Sequence, residues 1–150
     1  MNQDLRAATN DDLEAVEGVV RSAYSKYVLR IGREPEPMLD DYNRLIQGGY
    51  VHVAEHNGIV RGVVVLIPQE DSMLLHNVAV SPSAQGLGLG RRMLEFAERA
   101  AANAGYKSIR LYTNEAMREN IELYTRIGYL ETHRVEEKGL RRVYMTKQLG

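Results

Sequence analysis

The sequence predicts an α/β fold, a mixed sheet of about seven strands flanked by four helices. Three observations carry this. Apolar residues recur at helical spacing over some segments and at strand spacing, or in short apolar runs, over the others. Asn57-Gly58 lies between two β-branched runs, the strongest short hairpin signal. The helix that follows residue 80 separates two strands, which makes it a crossover between parallel neighbours and the sheet mixed.

The elements follow in order. Residues 3–8 read as a short strand. "TNDDLEAVEGVVRSAYSKYV" opens with Thr9 or Asn10 as a cap and two early aspartates. Leu13, Val16, Val20, Ala23 and Tyr27 then recur at helical spacing. "LRIGREPEPMLDDYNRLIQGG" reads as a loop and a second helix with Pro37 near its first turn, stopped by Gly48-Gly49. The hairpin strands flank Asn57-Gly58, and "MLLHNVAV" is a third strand, apolar enough to be buried. Leu89, Met93, Leu94, Ala97, Ala100, Ala101 and Ala104 form one helix stripe, closed by Gly105. "SIRLYTN" is a strand and "MRENIELYTRIGY" a helix ending at Gly128; "YLETHRVEE" and "LRRVYMTKQL" are strands joined at Lys138-Gly139.

At 150 residues the chain is expected to form one domain, 1–150. Its 19 basic and 20 acidic residues give a formal net charge of -1 with no basic stripe, so nucleic acid is not an expected partner. With no cysteine, disulfides, thiolate metal sites and a cysteine nucleophile are excluded. No histidine pair or carboxylate cluster has ligand spacing, so no metal is expected. The polar start and an apolar run no longer than "GVVVLIP" at 62–68 predict a cytoplasmic protein without a membrane partner.

"SPSAQGLGLGRRMLEF", Ser81 to Phe96, places Gly86, Gly88 and Gly90 just ahead of a helix. Unpaired N–H groups and the positive end of the dipole make such a terminus an anion site, and glycine lets a phosphate approach; glycines here also serve as a tight connection. A dinucleotide fingerprint from Gly86 needs a small residue where Arg91 stands, and no Gly-Lys-Ser/Thr is present. Gln85, Gly88 and Gly90 instead follow Gln-x-x-Gly-x-Gly, after "NVAVSP" and before "NIELYTRIGY". In these motifs the chain resembles the GNAT superfamily of acyl-CoA-dependent N-acyltransferases. The order of elements, strand, two helices, three strands, helix, strand, helix, two strands, is also that family's.

The resemblance implies a GNAT-like, mostly antiparallel central sheet and acetyl-CoA as co-substrate. It assigns the amides of Gly86, Leu87, Gly88, Leu89, Gly90 and Arg91, next to Gln85, to the CoA pyrophosphate, and the backbone of Val78 and Val80 to the pantetheine arm. Tyr124 matches the family's tyrosine near the thioester sulfur and is the expected general acid. The asparagine often found before that tyrosine is replaced here by Met117, and Asn120 is carried as a further cofactor-binding candidate. His76 shares strand parity with Val78 and Val80 and is the candidate base, beside Glu115 or ordered water; His76 and Tyr124 also read as packed residues of strand and core. A backbone amide near Val78 is the candidate oxyanion donor. The activity implied is direct transfer of an acetyl group to a primary amine of a small molecule or peptide. A non-catalytic CoA-binding or sensing module and an interaction protein using its last strands are the alternatives, and a homodimer is compatible with each. Residues 24–50 occupy the family's acceptor wall: Glu34, Glu36, Asp40 and Asp41 suit a cationic amine, Arg30 and Arg33 a carboxylate.

Overall fold

A computed structural model describes residues 5–150. In chain order the elements are β1 (Leu5–Ala7), α1 (Leu13–Ile31), α2 (Tyr42–Gln47), β2 (Val51–His56), β3 (Ile59–Pro68) and β4 (Met73–Val80). Then come α3 (Leu89–Asn103), β5 (Ser108–Asn114), α4 (Arg118–Arg126), β6 (Leu130–Glu137) and β7 (Leu140–Gln148). Seven strands form one sheet in the order β1-β2-β3-β4-β5-β7-β6. Every neighbouring pair is antiparallel except β4 and β5, the pair joined through α3, as the crossover reading requires. The mixed sheet and its four helices match the expected architecture.

Each face of the sheet buries one pair of helices. Val16, Val20, Tyr24 and Ile46 from α1 and α2 pack on Val53, Val63 and Val65. Met93, Leu94, Ala97 and Tyr124 from α3 and α4 pack on Leu66, Leu75, Ile109 and Met145 of the other face. The apolar stripe read along 89–101 is the face that α3 buries. Asn57 and Gly58 both take positive φ, 56° and 79°, the backbone of the predicted two-residue hairpin turn.

Local chemistry shifts some expected boundaries. Of the expected strand at 3–8, residues 3 and 4 lie outside the described residues, and β1 covers Leu5–Ala7. The second helix does not begin at Pro37. Glu36–Leu39 is a separate 3-10 turn and Asp40 is extended. α2 starts at Tyr42 because the Asp41 carboxylate accepts the Arg44 N–H at 3.2 Å, a cap that Pro37 cannot supply.

Asp12 fixes the entry to α1. Its carboxylate takes the Thr9 N–H at 2.8 Å and a two-toothed pair from Arg6, whose guanidinium also reaches Glu55 on β2 at 2.8 Å. The Arg6 hydrogen bonds hold the Asp12 carboxyl at about 2, below its usual 3.8, against the desolvation that raises it. A depressed carboxyl stabilises the fold fully above the unfolded value and loses that contribution as pH falls towards the folded one. Asp12→Asn is therefore expected to lower stability at neutral pH by about 1 kcal/mol, or about 2–4 °C in Tm for a domain of this size. The deficit should close as both proteins are melted at pH values falling through 3.8 towards 2. A deficit unchanged at the acid end refutes the assignment.

Candidate active site

The sheet is closed at one end of the β4–β5 seam and open at the other. Met73 pairs with Ile109 and Leu74 with Arg110, and no later residue of β4 pairs with β5. The opening coincides with a bulge. Val65 of β3 faces Asn77 and Leu66 faces Leu75, so His76 is an extra residue on β4.

The bulge overturns the expected parity of His76 with Val78 and Val80. An inserted residue resets the alternation, and Leu75 is the one that packs with Val78 and Val80 on the α3 side. His76 turns to the loop before α2, its Nε2 2.9 Å from Asp40 Oδ2. Its Nδ1 is buried without a hydrogen-bond partner among the described residues. The neighbouring Asn77 is held from the α1 side. Its Oδ1 accepts the Tyr24 hydroxyl at 2.5 Å and its Nδ2 donates to Tyr42 at 2.9 Å. Tyr42 donates in turn to the Pro37 carbonyl at 2.6 Å, and Tyr24 also lies 3.0 Å from the Val78 carbonyl oxygen. One chain of buried polar contacts thus joins β4, both helices and the 3-10 turn.

Two cavities meet at this seam. An outer groove of about 500 Å³ runs along Val78, Ala79 and Val80, the loop residues Gln85, Gly86, Gly88, Leu89 and Gly90, and Asn120, Leu123 and Tyr124. An inner cavity is lined by Glu36, Asp40, His76, Asn77, Tyr112, Asn114 and Arg142 among others. Tyr24, Val78, Asn120 and Tyr124 line both.

The glycine loop has the backbone of an anion cradle. Gly86 and Gly88 take φ of 87° and 78°, conformations that cost other residues roughly 1–2 kcal/mol. The chain can then turn directly into α3, whose first bond across the cap is Arg92 N–H to the Gly88 carbonyl at 3.1 Å. The amides of Gly86 to Arg91 donate to no acceptor among the described residues. Lys26 and Arg126 also line the groove, so two cations share it with these amides. These residues fit a pyrophosphate. The side chains of Leu87 and Arg91 lie outside the groove. Leu87 is exposed, and Arg91 leans 3.9 Å from Glu95.

Tyr124 is buried, with its ring 5.7 Å from that of Tyr129. Its hydroxyl has no hydrogen-bond partner among the described residues, and burial, with a smaller contribution from Tyr27, pushes its pKa up to about 12. It keeps its proton at neutral pH, free to donate. Asn120 lines both cavities, with its Nδ2 3.8 Å from Met117 Sδ.

Other expected acceptor residues are elsewhere. Arg30 pairs with Glu119 at 2.7 Å and Arg33 donates to the Lys138 carbonyl at 3.1 Å; neither lines the inner cavity. Glu34 lines a separate surface pocket, Asp41 caps α2, and Glu115 pairs with Arg141 and Arg134 outside the cavity. Glu36 and Asp40 are in the wall as expected. The cation beside them is Arg142 of β7, which the sequence reading missed. No described helix is long and apolar enough to cross a membrane. Among the described residues no group of three His, Cys, Asp or Glu could hold a metal.

Residues 16–129 match the Acetyltransferase (GNAT) family. The chain is 27% identical over 123 residues to the 5-NmdU N-acetyltransferase of Pseudomonas phage PaMx11, covering 74% of this chain and 86% of that one. Its fold is shared with a GNAT-family acetyltransferase from Streptococcus agalactiae, at a TM-score of 0.83 and 16% identity, covering 99% of this chain and 96% of that chain. It is shared also with yncA from Salmonella typhimurium, solved with its cofactor acetyl-CoA, at 0.74 and 21%, covering 100% and 95%.

Proposed function

Because the chain belongs to the acetyltransferase (GNAT) family and is an acyl-CoA-dependent N-acetyltransferase, we propose that it transfers an acetyl group directly from acetyl-CoA to a primary amine of a small molecule or peptide, acting as one cytoplasmic domain with Tyr124 as general acid. The observation that carries this is the junction of the groove and the inner cavity at Tyr24, Val78, Asn120 and Tyr124. Among the described residues these four are the ones shared by the two cavities, so a thioester in the groove and an amine in the cavity would meet beside them.

Acetyl-CoA supplies the activated acyl group. The amides of Gly86 to Arg91, with Lys26 and Arg126, bind its phosphates, and the open side of β4 at Val78 and Val80 receives the pantetheine arm. The amine forms a C–N bond to the acyl carbon as the C–S bond breaks. His76 takes the proton that the ammonium must lose before attack, Tyr124 gives its proton to the departing sulfur, and the second proton that nitrogen sheds as the amide forms restores the phenol. Asp40 holds that imidazole through Nε2; because Nδ1 is buried, the proton reaches His76 at the Nε2–Asp40 contact. His76 is favoured over Glu115 as base because only His76 lines the cavity.

The test is release of free thiol from acetyl-CoA against a panel of amines. Amine-dependent release is expected. If acetyl-CoA binds in equilibrium dialysis while no amine releases thiol, the catalytic reading is wrong. His76→Gln is expected to lower turnover by about tenfold, at the low end for loss of a base that solvent partly replaces, with acetyl-CoA affinity unchanged. A variant as stable as the wild type with the same turnover removes His76 from the chemistry.

A further inference from the structure

Arg142 is the one fixed cation among the described residues of the inner cavity, and it is already held. Its Nε donates to Glu36 Oε1 at 3.0 Å and its Nη2 to the other Glu36 oxygen, a paired fork from strand to loop. Nη1 lies 3.2 Å from Glu137 Oε1, and the guanidinium carbon sits 4.7 Å from the Tyr112 ring centre. The side chain is 13% exposed. Two carboxylates on one guanidinium leave that corner net negative, and Asp40 adds a further carboxylate on the same wall.

The charge of this wall is selective. A carboxylate carried into the cavity would lose water and meet Glu36 and Asp40, while the group able to pair with it is engaged on both sides. An ammonium also loses water but faces opposite charges that offset the loss, and a neutral substituent meets no like charge. The geometry points to acceptors that are primary amines bearing no carboxylate on the amino carbon, so that the decarboxylated form of an amino acid is taken in preference to the amino acid. Glu36 sets this preference by occupying Arg142. The inference rests on the acetyltransferase reading above.

Matched acceptors test it: tyramine, tyrosine and tyrosinamide, then histamine, histidine and histidinamide. The amides keep the lowered basicity of the amino group and lose only the negative charge. With the wild-type enzyme, amine and amide are expected to exceed the acid at least tenfold in kcat/KM. Acids that match or exceed both partners overturn the inference. Glu36→Gln, which removes one negative charge and loosens Arg142, is expected to narrow that ratio at least tenfold by raising kcat/KM for the acids. A folded Glu36→Gln enzyme with the wild-type ratio overturns the role given to Glu36. Bound acetyl-CoA with transfer to no acceptor in either series overturns the underlying activity instead, and the two failures are told apart by that readout.

Discussion

Tyr124→Phe is expected to reduce turnover about a hundredfold while acetyl-CoA affinity stays within about twofold, the pattern of a donor lost only in the transition state. The substitution keeps the ring against Tyr129 and the packing of α4 on the sheet. It removes one oxygen, whose proton has no partner among the described residues and whose pKa is pushed up to about 12 by burial. A phenol so disposed donates to a thiolate as it forms, but does not itself ionise near neutrality. If Tyr124 were only a packed aromatic, Phe would leave the rate alone and could even add stability. Stopped-flow thiol release, under conditions where chemistry limits the rate, decides between the two. Wild-type rates in the variant assign the proton to another donor.

The second large effect is expected at the loop. Gly90→Ala should weaken acetyl-CoA binding more than tenfold, about 1.4 kcal/mol, by setting a methyl group where the backbone meets a pyrophosphate. The protein itself accepts the change. A Cβ there meets only Val80 Cγ2, at 3.6 Å, and alanine is favoured over glycine in a helix by up to about 1 kcal/mol. Gly88→Ala is less clean, because a residue at φ 78° carries backbone strain of roughly 1–2 kcal/mol as well. Equilibrium dialysis alongside a thermal melt separates ligand contact from fold. A Gly90→Ala protein with a raised Tm and unchanged affinity removes the anion cradle from the argument.

What could be read in the sequence was what neighbouring residues determine. Asn57-Gly58 carries its turn in its own backbone preferences, and the stripe from Leu89 to Ala101 carries its buried face in its period. The glycine loop was legible for the same reason, being a run of consecutive amides. The bulge at His76 was not, because strand alternation predicts direction only while pairing is regular. The extra residue is fixed by Tyr24 and Tyr42 gripping Asn77 from helices 53 and 35 positions away. Arg142 was missed likewise: its partner Glu36 is 106 positions distant, and one arginine in "LRRVYMTKQL" looks like the next until the fold is closed. The acceptor wall is assembled from long-range pairs, and Arg30 and Arg33, adjacent to it in sequence, turn to other partners.

The two paired positions at Met73 and Leu74 also make the sheet a pair of plates joined at a pivot. Val80 stands six residues beyond Leu74 on the open side, a lever of roughly 20 Å at strand spacing. A rotation of about 5° at the pivot therefore displaces the far end by about 2 Å. Met73 and Ile109 are buried at this joint and line neither cavity, so a change of side-chain volume there would be felt at the far end of the gap between β4 and β5.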